Sequence, residues 1–152
     1  MASFYIRRFR ETDQSEVLRI WYKESLDSHS FIPAKFWAEY LENLKQKYLP
    51  SADTFVAESE GRIFGFISLM GNYVGALFVD KQSQGQGIGG ALVDFANQLK
   101  GNLFVDVYKE NTRAHYFYEK YGFKEKREKI QPETGHALIT MYLDNKEREV
   151  KT

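Results

Sequence analysis

The chain has 152 residues, enough for one domain with a substantial core, and its 21 acidic residues balance its 21 basic ones. Balanced charge supplies no field to draw in a polyanion and disfavours nucleic-acid binding, and the absence of cysteine excludes disulfides, thiolate metal sites and thiol nucleophiles. No apolar run approaches the ~20 residues of a membrane span and Met1 to Arg8 has no signal-peptide core, so the expectation is a cytoplasmic protein with no membrane partner.

In chain order, Phe4 to Phe9 reads as a first strand. Asp13 followed by Glu16 has the shape of a capping box, opening a helix whose inward face is Val17, Ile20 and Trp21 and which stops near Asp27. A loop through Ile32 leads to Pro33, suited to the first turn of a second helix, in which Phe36, Trp37, Tyr40, Leu41, Leu44 and Tyr48 recur at helical spacing until Leu49-Pro50-Ser51 breaks the pattern. From Thr54 the period changes to two. Thr54 to Glu58, Arg62 to Met70 and Tyr73 to Val79 read as three strands joined by tight hairpins. A helix to about Leu99 follows, with Ile88, Leu92, Phe95, Ala96 and Leu99 on one face, then a strand from Leu103 to Val107. The strands flanking that helix are expected to be parallel, because the connection is a βαβ crossover. Asn111 is placed to cap a further helix that ends at Gly122 in a left-handed conformation. Two last strands, about Lys124 to Ile130 and Ala137 to Leu143, flank a turn. The expectation is an α/β domain over residues 1–144 with a charged tail at 145–152. The cluster of Tyr5, Arg7 and Arg8 and the run from Lys124 to Lys129 read as solvated strand faces.

The stretch that carries chemistry is Leu77-Phe78-Val79-Asp80-Lys81-Gln82-Ser83-Gln84-Gly85-Gln86-Gly87-Ile88-Gly89-Gly90-Ala91-Leu92. Strand, glycines and helix in immediate succession make an anion site. Glycines leave no Cβ in the way of a ligand, and the first helix amides have no intrahelical acceptor, so a phosphate or pyrophosphate is the natural occupant. A P-loop requires Gly-Lys followed by Ser or Thr, whereas Ala91-Leu92-Val93 follows here. Gly85, Gly87 and Gly90 satisfy the dinucleotide fingerprint literally. However, Asp80 to Gln84 separate the strand from the glycines, Asp106 sits inside its strand, and too little chain follows it for a doubly wound sheet.

Gln84-Gly85-Gln86-Gly87-Ile88-Gly89 resembles the Q/R-x-x-G-x-G/A signature of the GCN5-related N-acetyltransferase (GNAT) family. Asn111-Thr112-Arg113-Ala114-His115-Tyr116-Phe117-Tyr118-Glu119-Lys120-Tyr121-Gly122-Phe123 is similar to the N-x-x-A-x-x-F-Y-x-x-x-G-F segment of the same family. The resemblance covers the central and later part of the chain. It implies a mixed, mainly antiparallel sheet with flanking helices, in which the strand before the glycine loop and the strand after its helix splay apart to admit acetyl-CoA. By position, Leu77, Phe78 and Val79 offer backbone groups to the pantetheine arm. Gln84, Gly85, Gln86, Gly87, Ile88, Gly89 and Gly90 wrap the pyrophosphate, and Asn111 reaches the cofactor from the far side, a role compatible with capping its helix. The implied reaction is acetyl transfer to a primary amine, of a small molecule or of a protein lysine or N-terminus, by direct attack.

Tyr118 is the implied general acid for the departing thiolate, although it also belongs to a helix face with Ala114, Phe117 and Tyr121 that packing alone would explain. Asp106, a carboxylate in an apolar strand, is the candidate base, with Glu58 or a water chain as alternates. His29 and Phe31 lie in the loop that borders the acceptor side in such folds. His115 and His136 read as surface or packing residues, and no His and carboxylate pair has metal-ligand spacing, so no metal is expected. A non-catalytic acyl-CoA-binding domain is the competing class, and the chain is expected to be a monomer or homodimer, the dimer by analogy alone.

Overall fold

The computed structural model describes residues 3–144, and the expected charged tail lies outside the described residues. Strands β1 (Tyr5–Arg8), β2 (Asp53–Ser59), β3 (Arg62–Met70), β4 (Tyr73–Val79), β5 (Asn102–Tyr108), β6 (Lys124–Ile130) and β7 (Ala137–Asp144) form one sheet in the order β1-β2-β3-β4-β5-β7-β6. All neighbours are antiparallel except β4 and β5, whose crossover carries helix α4 (Ile88–Lys100). Helices α1 (Gln14–Ser28) and α2 (Ala34–Asn43) cover one face, and α4 with α5 (Thr112–Tyr121) covers the other.

Period-two alternation divides the strands between two cores. Phe55 and Ala57 on β2, with Ile67 and Leu69 on β3, pack with Leu92, Val93 and Ala96 of α4. Between them Val56 and Phe66 turn the other way, onto Val17, Ile20 and Trp21 of α1 and Trp37 of α2. Each of the larger side chains taken fully out of water contributes roughly 2 kcal/mol, and each alanine less.

β4 and β5 pair only at Tyr73 with Phe104 and at Val74 with Val105. The register of β3 against β4 then shifts, leaving Gly75 without a partner between Val74 and Ala76. Such a bulge bends the strand, and β4 parts from β5 just beyond it. Leu77, Phe78 and Val79 remain paired to Ile67, Phe66 and Gly65 on β3, so their other edge faces the gap.

Four expectations need correction. Asp13 does not cap α1 with Glu16. A short 3₁₀ turn, Glu11–Asp13, precedes the helix, and the Asp13 carboxylate accepts from the Arg10 amide at 2.7 Å and from Arg7. Arg7 is not solvated. It is held between Asp13 (2.8 Å) and Glu58 (2.6 Å), an ion pair folded against the sheet edge that raises the guanidinium pKa through the Asp13 hydrogen bond first. Leu99, assigned to the apolar face of α4, is 52% exposed, and Val93 takes an inward place instead. The pattern-breaking Leu49-Pro50-Ser51 stays helical. α2 widens into a π-helical stretch, Leu44–Tyr48, and closes with a last turn, α3 (Leu49–Ser51), whose first positions tolerate Pro50.

Candidate active site

A cleft of about 960 Å³ opens where β4 and β5 separate. The glycine loop and the start of α4 form one end, the face of α5 one wall, and α1, α2 and the loop between them the other. Gly85 and Gly87 adopt positive φ (84° and 82°), and a Cβ built on either, or on Gly90, meets nothing within 4 Å. The empty shell above them is lined by the first amides of α4, which have no intrahelical acceptor. These are the elements of an anion cradle.

The loop is fixed from behind by a buried carboxylate that the sequence did not advertise. Glu24, on α1, accepts from the Lys81 amide at 3.1 Å and from Gln84 Nε2 at 3.3 Å, and desolvation pushes its pKa up. Gln84 also donates to the Val79 carbonyl at 2.9 Å, and its Oε1 accepts from Arg113 at 3.2 Å. Of the strand residues expected to offer free backbone groups, Val79 thus has its carbonyl engaged by Gln84. Gln86, expected with the pyrophosphate, does not line the cleft. It borders a separate depression beside Phe4, Arg62 and Phe64, because the left-handed glycines on either side turn its side chain outward.

Ile88, Gly89, Gly90, Leu77 and Phe78 all line the main cleft, as do Asp106, Asn111, Tyr118, His29 and Phe31. Tyr118 is 6% exposed, its hydroxyl hydrogen-bonds to no described residue, and its ring stands edge-on to Phe117 and Phe123. Burial raises its pKa, so the phenol keeps its proton throughout the pH range of a stable protein. Asp106 is held by Thr140 Oγ1 (2.6 Å), from the adjacent β7, and by Lys129 Nζ (3.0 Å), from β6 one strand further on. Glu58, the alternate base, does not line the cleft. Its carboxylate receives Tyr5 and then Arg7, and these bonds lower its pKa.

Asn111 and His29, 82 residues apart, meet across the cleft at 3.1 Å. Asn111 Oδ1 accepts the Ala114 amide and caps α5, so its NH₂ group is what faces His29 Nε2. His29 therefore accepts at Nε2 and carries its proton at Nδ1. The ring lies among Phe31, Trp37, Phe78 and Tyr108, and desolvation lowers its pKa to about 4. Stability that depends on neutral His29 is complete above the unfolded value near 6.5 and is lost as pH falls towards 4. Between pH 7 and pH 4 the wild-type unfolding free energy, measured in urea, is expected to fall about 3 kcal/mol further than that of His29→Gln.

Comparison with known proteins bears on what this cleft does. The profile of the acetyltransferase (GNAT) domain matches residues 50–125, the span from the end of the helical cap through the glycine loop to the start of β6. The chain belongs to the GNAT family. It is 32% identical over 119 residues to the peptidyl-lysine N-acetyltransferase YiaC of Escherichia coli, covering 78% of this chain and 82% of that protein. The solution structure of apo YjaB from Escherichia coli superposes with a TM-score of 0.82 at 29% identity, over 92% of this chain and 97% of the other. A Bacillus anthracis acetyltransferase solved with acetyl coenzyme A matches 62% of this chain and 63% of its own at a TM-score of 0.56 and 26% identity.

The protein is accordingly an acetyl-CoA-dependent N-acetyltransferase, and the non-catalytic and dinucleotide-binding alternatives fall away. The cleft fits the donor this family uses: a diphosphate suits the glycine cradle and an amide-bearing arm suits the unpaired edge of β4. No helix among the described residues is long and apolar enough to cross a membrane. Reading along the chain missed four features of this GNAT site: Glu24, Trp37, Tyr48 and Tyr108. Each sits at a regular apolar or helical position, and only the tertiary contacts bring it to the cleft. The single local signal was the excess of aromatic residues, 16% of the chain, more than a core this size requires.

Proposed function

We propose that this enzyme acetylates the side-chain amine of lysine within a polypeptide, by direct attack of the neutral amine with Tyr118 as general acid. The observation that carries the reading is Tyr118, a 6% exposed residue on the cleft wall whose hydroxyl bonds to no described residue and stays protonated because burial of the side chain raises its pKa. Lysine as acceptor is supported by YiaC, whose name gives that substrate.

Bound acetyl-CoA supplies the activated acetyl thioester. Gly85, Gly87, Gly89, Gly90 and the α4 amides would hold its pyrophosphate, with Gln84 and Arg113 bracing the loop, and the edge at Leu77 and Phe78 its pantetheine arm. Asn111 lies on the opposite wall. Aromatic rings from α1, α2 and β5 desolvate the incoming amine, which favours its neutral, nucleophilic form. Asp106 receives the proton that the amine loses, through water, because both of its oxygens are already engaged by Thr140 and Lys129. Tyr118 Oη–H holds the proton for the leaving sulfur.

The test is thiol release from acetyl-CoA with lysine peptides, N-terminal amines and diamines in parallel, with products assigned by mass spectrometry. Acetyl-lysine peptide formed well above the other two classes is the expected result. Preference for a diamine or an α-amine would overturn the assignment of lysine.

A further inference from the structure

Four buried side-chain atoms along the amine side of the cleft have no hydrogen-bond partner among the described residues: Ser25 Oγ, His29 Nδ1, Trp37 Nε1 and Tyr48 Oη. Folded chains rarely leave buried donors unpaired, and here four line one cavity. Two of these atoms can only donate, whereas the Ser25 and Tyr48 hydroxyls both donate and accept. Indole Nε1 only donates, and His29 Nδ1 carries the ring proton because Asn111 occupies Nε2. Trp37 is 6% exposed. The rings of His29 and Trp37 lie 5.4 Å apart and both residues line this cleft.

Tyr48 comes to the same cavity by an unusual route. A Cβ on Gly75 would fall 1.4 Å from the Tyr48 hydroxyl, so the ring reaches the bulge of β4 only because that position is glycine and because the π-helical stretch turns it there. No Lys or Arg joins the group. Arg113, the one Lys or Arg on the cleft among the described residues, is committed to Gln84 at the glycine-loop end. Neutral donors without a cation suit a neutral oxygen better than a carboxylate.

We propose that the acceptor enters with an amide carbonyl oxygen next to its aliphatic amine chain, and that Trp37 Nε1 and His29 Nδ1 donate to that oxygen while Tyr48 bounds the subsite. The inference rests on the reading of this cleft as an amine-acetylating site and narrows its substrate class. A simple polyamine brings only donors and cations. It would leave Trp37 and His29 unsatisfied. Of the carboxylates on the cleft, Asp106 is engaged by Lys129, Glu24 by the Lys81 amide and Gln84, Asp27 by Lys81 and Glu110 by His136, which leaves Glu133 alone among the described residues as a counter-ion.

Two acceptors separate the possibilities: Nα-acetyl-lysine N-methylamide, and n-pentylamine, which has the same amine on a similar methylene chain but no carbonyl. Wild type is expected to prefer the amide about a hundredfold in kcat/KM. Trp37→Phe, which keeps the ring and deletes the donor, lowers the amide about tenfold more than it lowers pentylamine, the size of one neutral hydrogen bond. Equal losses for both substrates, or wild-type indifference between them, would overturn the proposal.

A second readout does not need turnover. In the coenzyme A complex the Trp37 indole N–H resonance, assigned by its disappearance in Trp37→Phe, moves downfield on titration with the amide and stays in place with pentylamine. A resonance unmoved at amide saturation sinks the inference even if lysine is acetylated. No turnover of either amine together with a moving resonance removes the catalytic reading and keeps the subsite. The Trp21 indole signal reports whether Trp37→Phe is folded, and Tyr48→Phe gives a second variant of the same wall.

Discussion

Tyr118→Phe is expected to lower kcat by about 10²–10³-fold while leaving acetyl-CoA affinity within about twofold, measured by steady-state kinetics and calorimetric titration. The substitution removes one oxygen and preserves the packing that the ring makes with Phe117 and Phe123, each 5.1 Å away. Structure and cofactor binding therefore survive, and the loss falls on the proton. A factor of this size corresponds to roughly 3–4 kcal/mol of transition-state stabilisation.

The pH profile tests the same point from another side. Burial raises the phenol pKa, so the hydroxyl is protonated at every pH at which the protein is assayed. Tyr118 then contributes no descending alkaline limb to kcat below about pH 10. A thiol titrates near ~8.5, so proton delivery from a phenol of still higher pKa is not downhill by solution values. In the proposed mechanism it is made effective by a hydrogen bond that tightens as charge develops on sulfur. Unchanged kcat in Tyr118→Phe would mean that solvent protonates the thiolate and that the residue only packs.

How much of this was readable along the chain follows from where each constraint resides. The strands of the sheet and the β4-α4-β5 crossover are local patterns: period two from Thr54, glycines at Gly85 to Gly90, period 3.6 from Ile88. Each element carries its own signal, and the structure bears these readings out. Asn111 was legible as a cap because Ala114 is three residues away. Its second bond, to His29, joins segments 82 residues apart and has no sequence signature. Arg7 and Asp13 failed for the same reason in reverse. Arg7 reads as solvated and Asp13 as a helix cap until the sheet edge brings Glu58 alongside and shields all three. Tyr48 was assigned to a helix face correctly, but a single widened turn redirects it from core to cleft, and period alone does not register a π-helical stretch. Glu24 shows a further limit. A carboxylate amid helix α1 reads as solvent-facing, yet its partners are a backbone amide and a glutamine of the glycine loop.

Gly87→Ala is expected to raise the acetyl-CoA dissociation constant by about 10–100-fold, read by calorimetry, with a smaller effect on kcat at saturating donor. Two effects act together. At φ 82° an alanine is strained by roughly 1 kcal/mol, which destabilises the fold slightly. The larger effect comes from position. The added methyl meets no protein atom within 4 Å because it projects into the open cradle before α4, where the pyrophosphate oxygens would lie against the first amides. Displacing the anion from even one such amide forfeits a charge-assisted hydrogen bond, about 1.5–3 kcal/mol. Gly61→Ala separates the two effects. Gly61 has φ 78° and equally open surroundings, but lies in the β2–β3 hairpin away from the cleft. It is expected to show the same small loss of stability with unchanged affinity. Should both variants bind acetyl-CoA like wild type, the anion is held elsewhere. Should both lose affinity alike, backbone strain is transmitted through the sheet and the cradle is not the cause. Only a loss confined to Gly87→Ala ties the pyrophosphate to the start of α4.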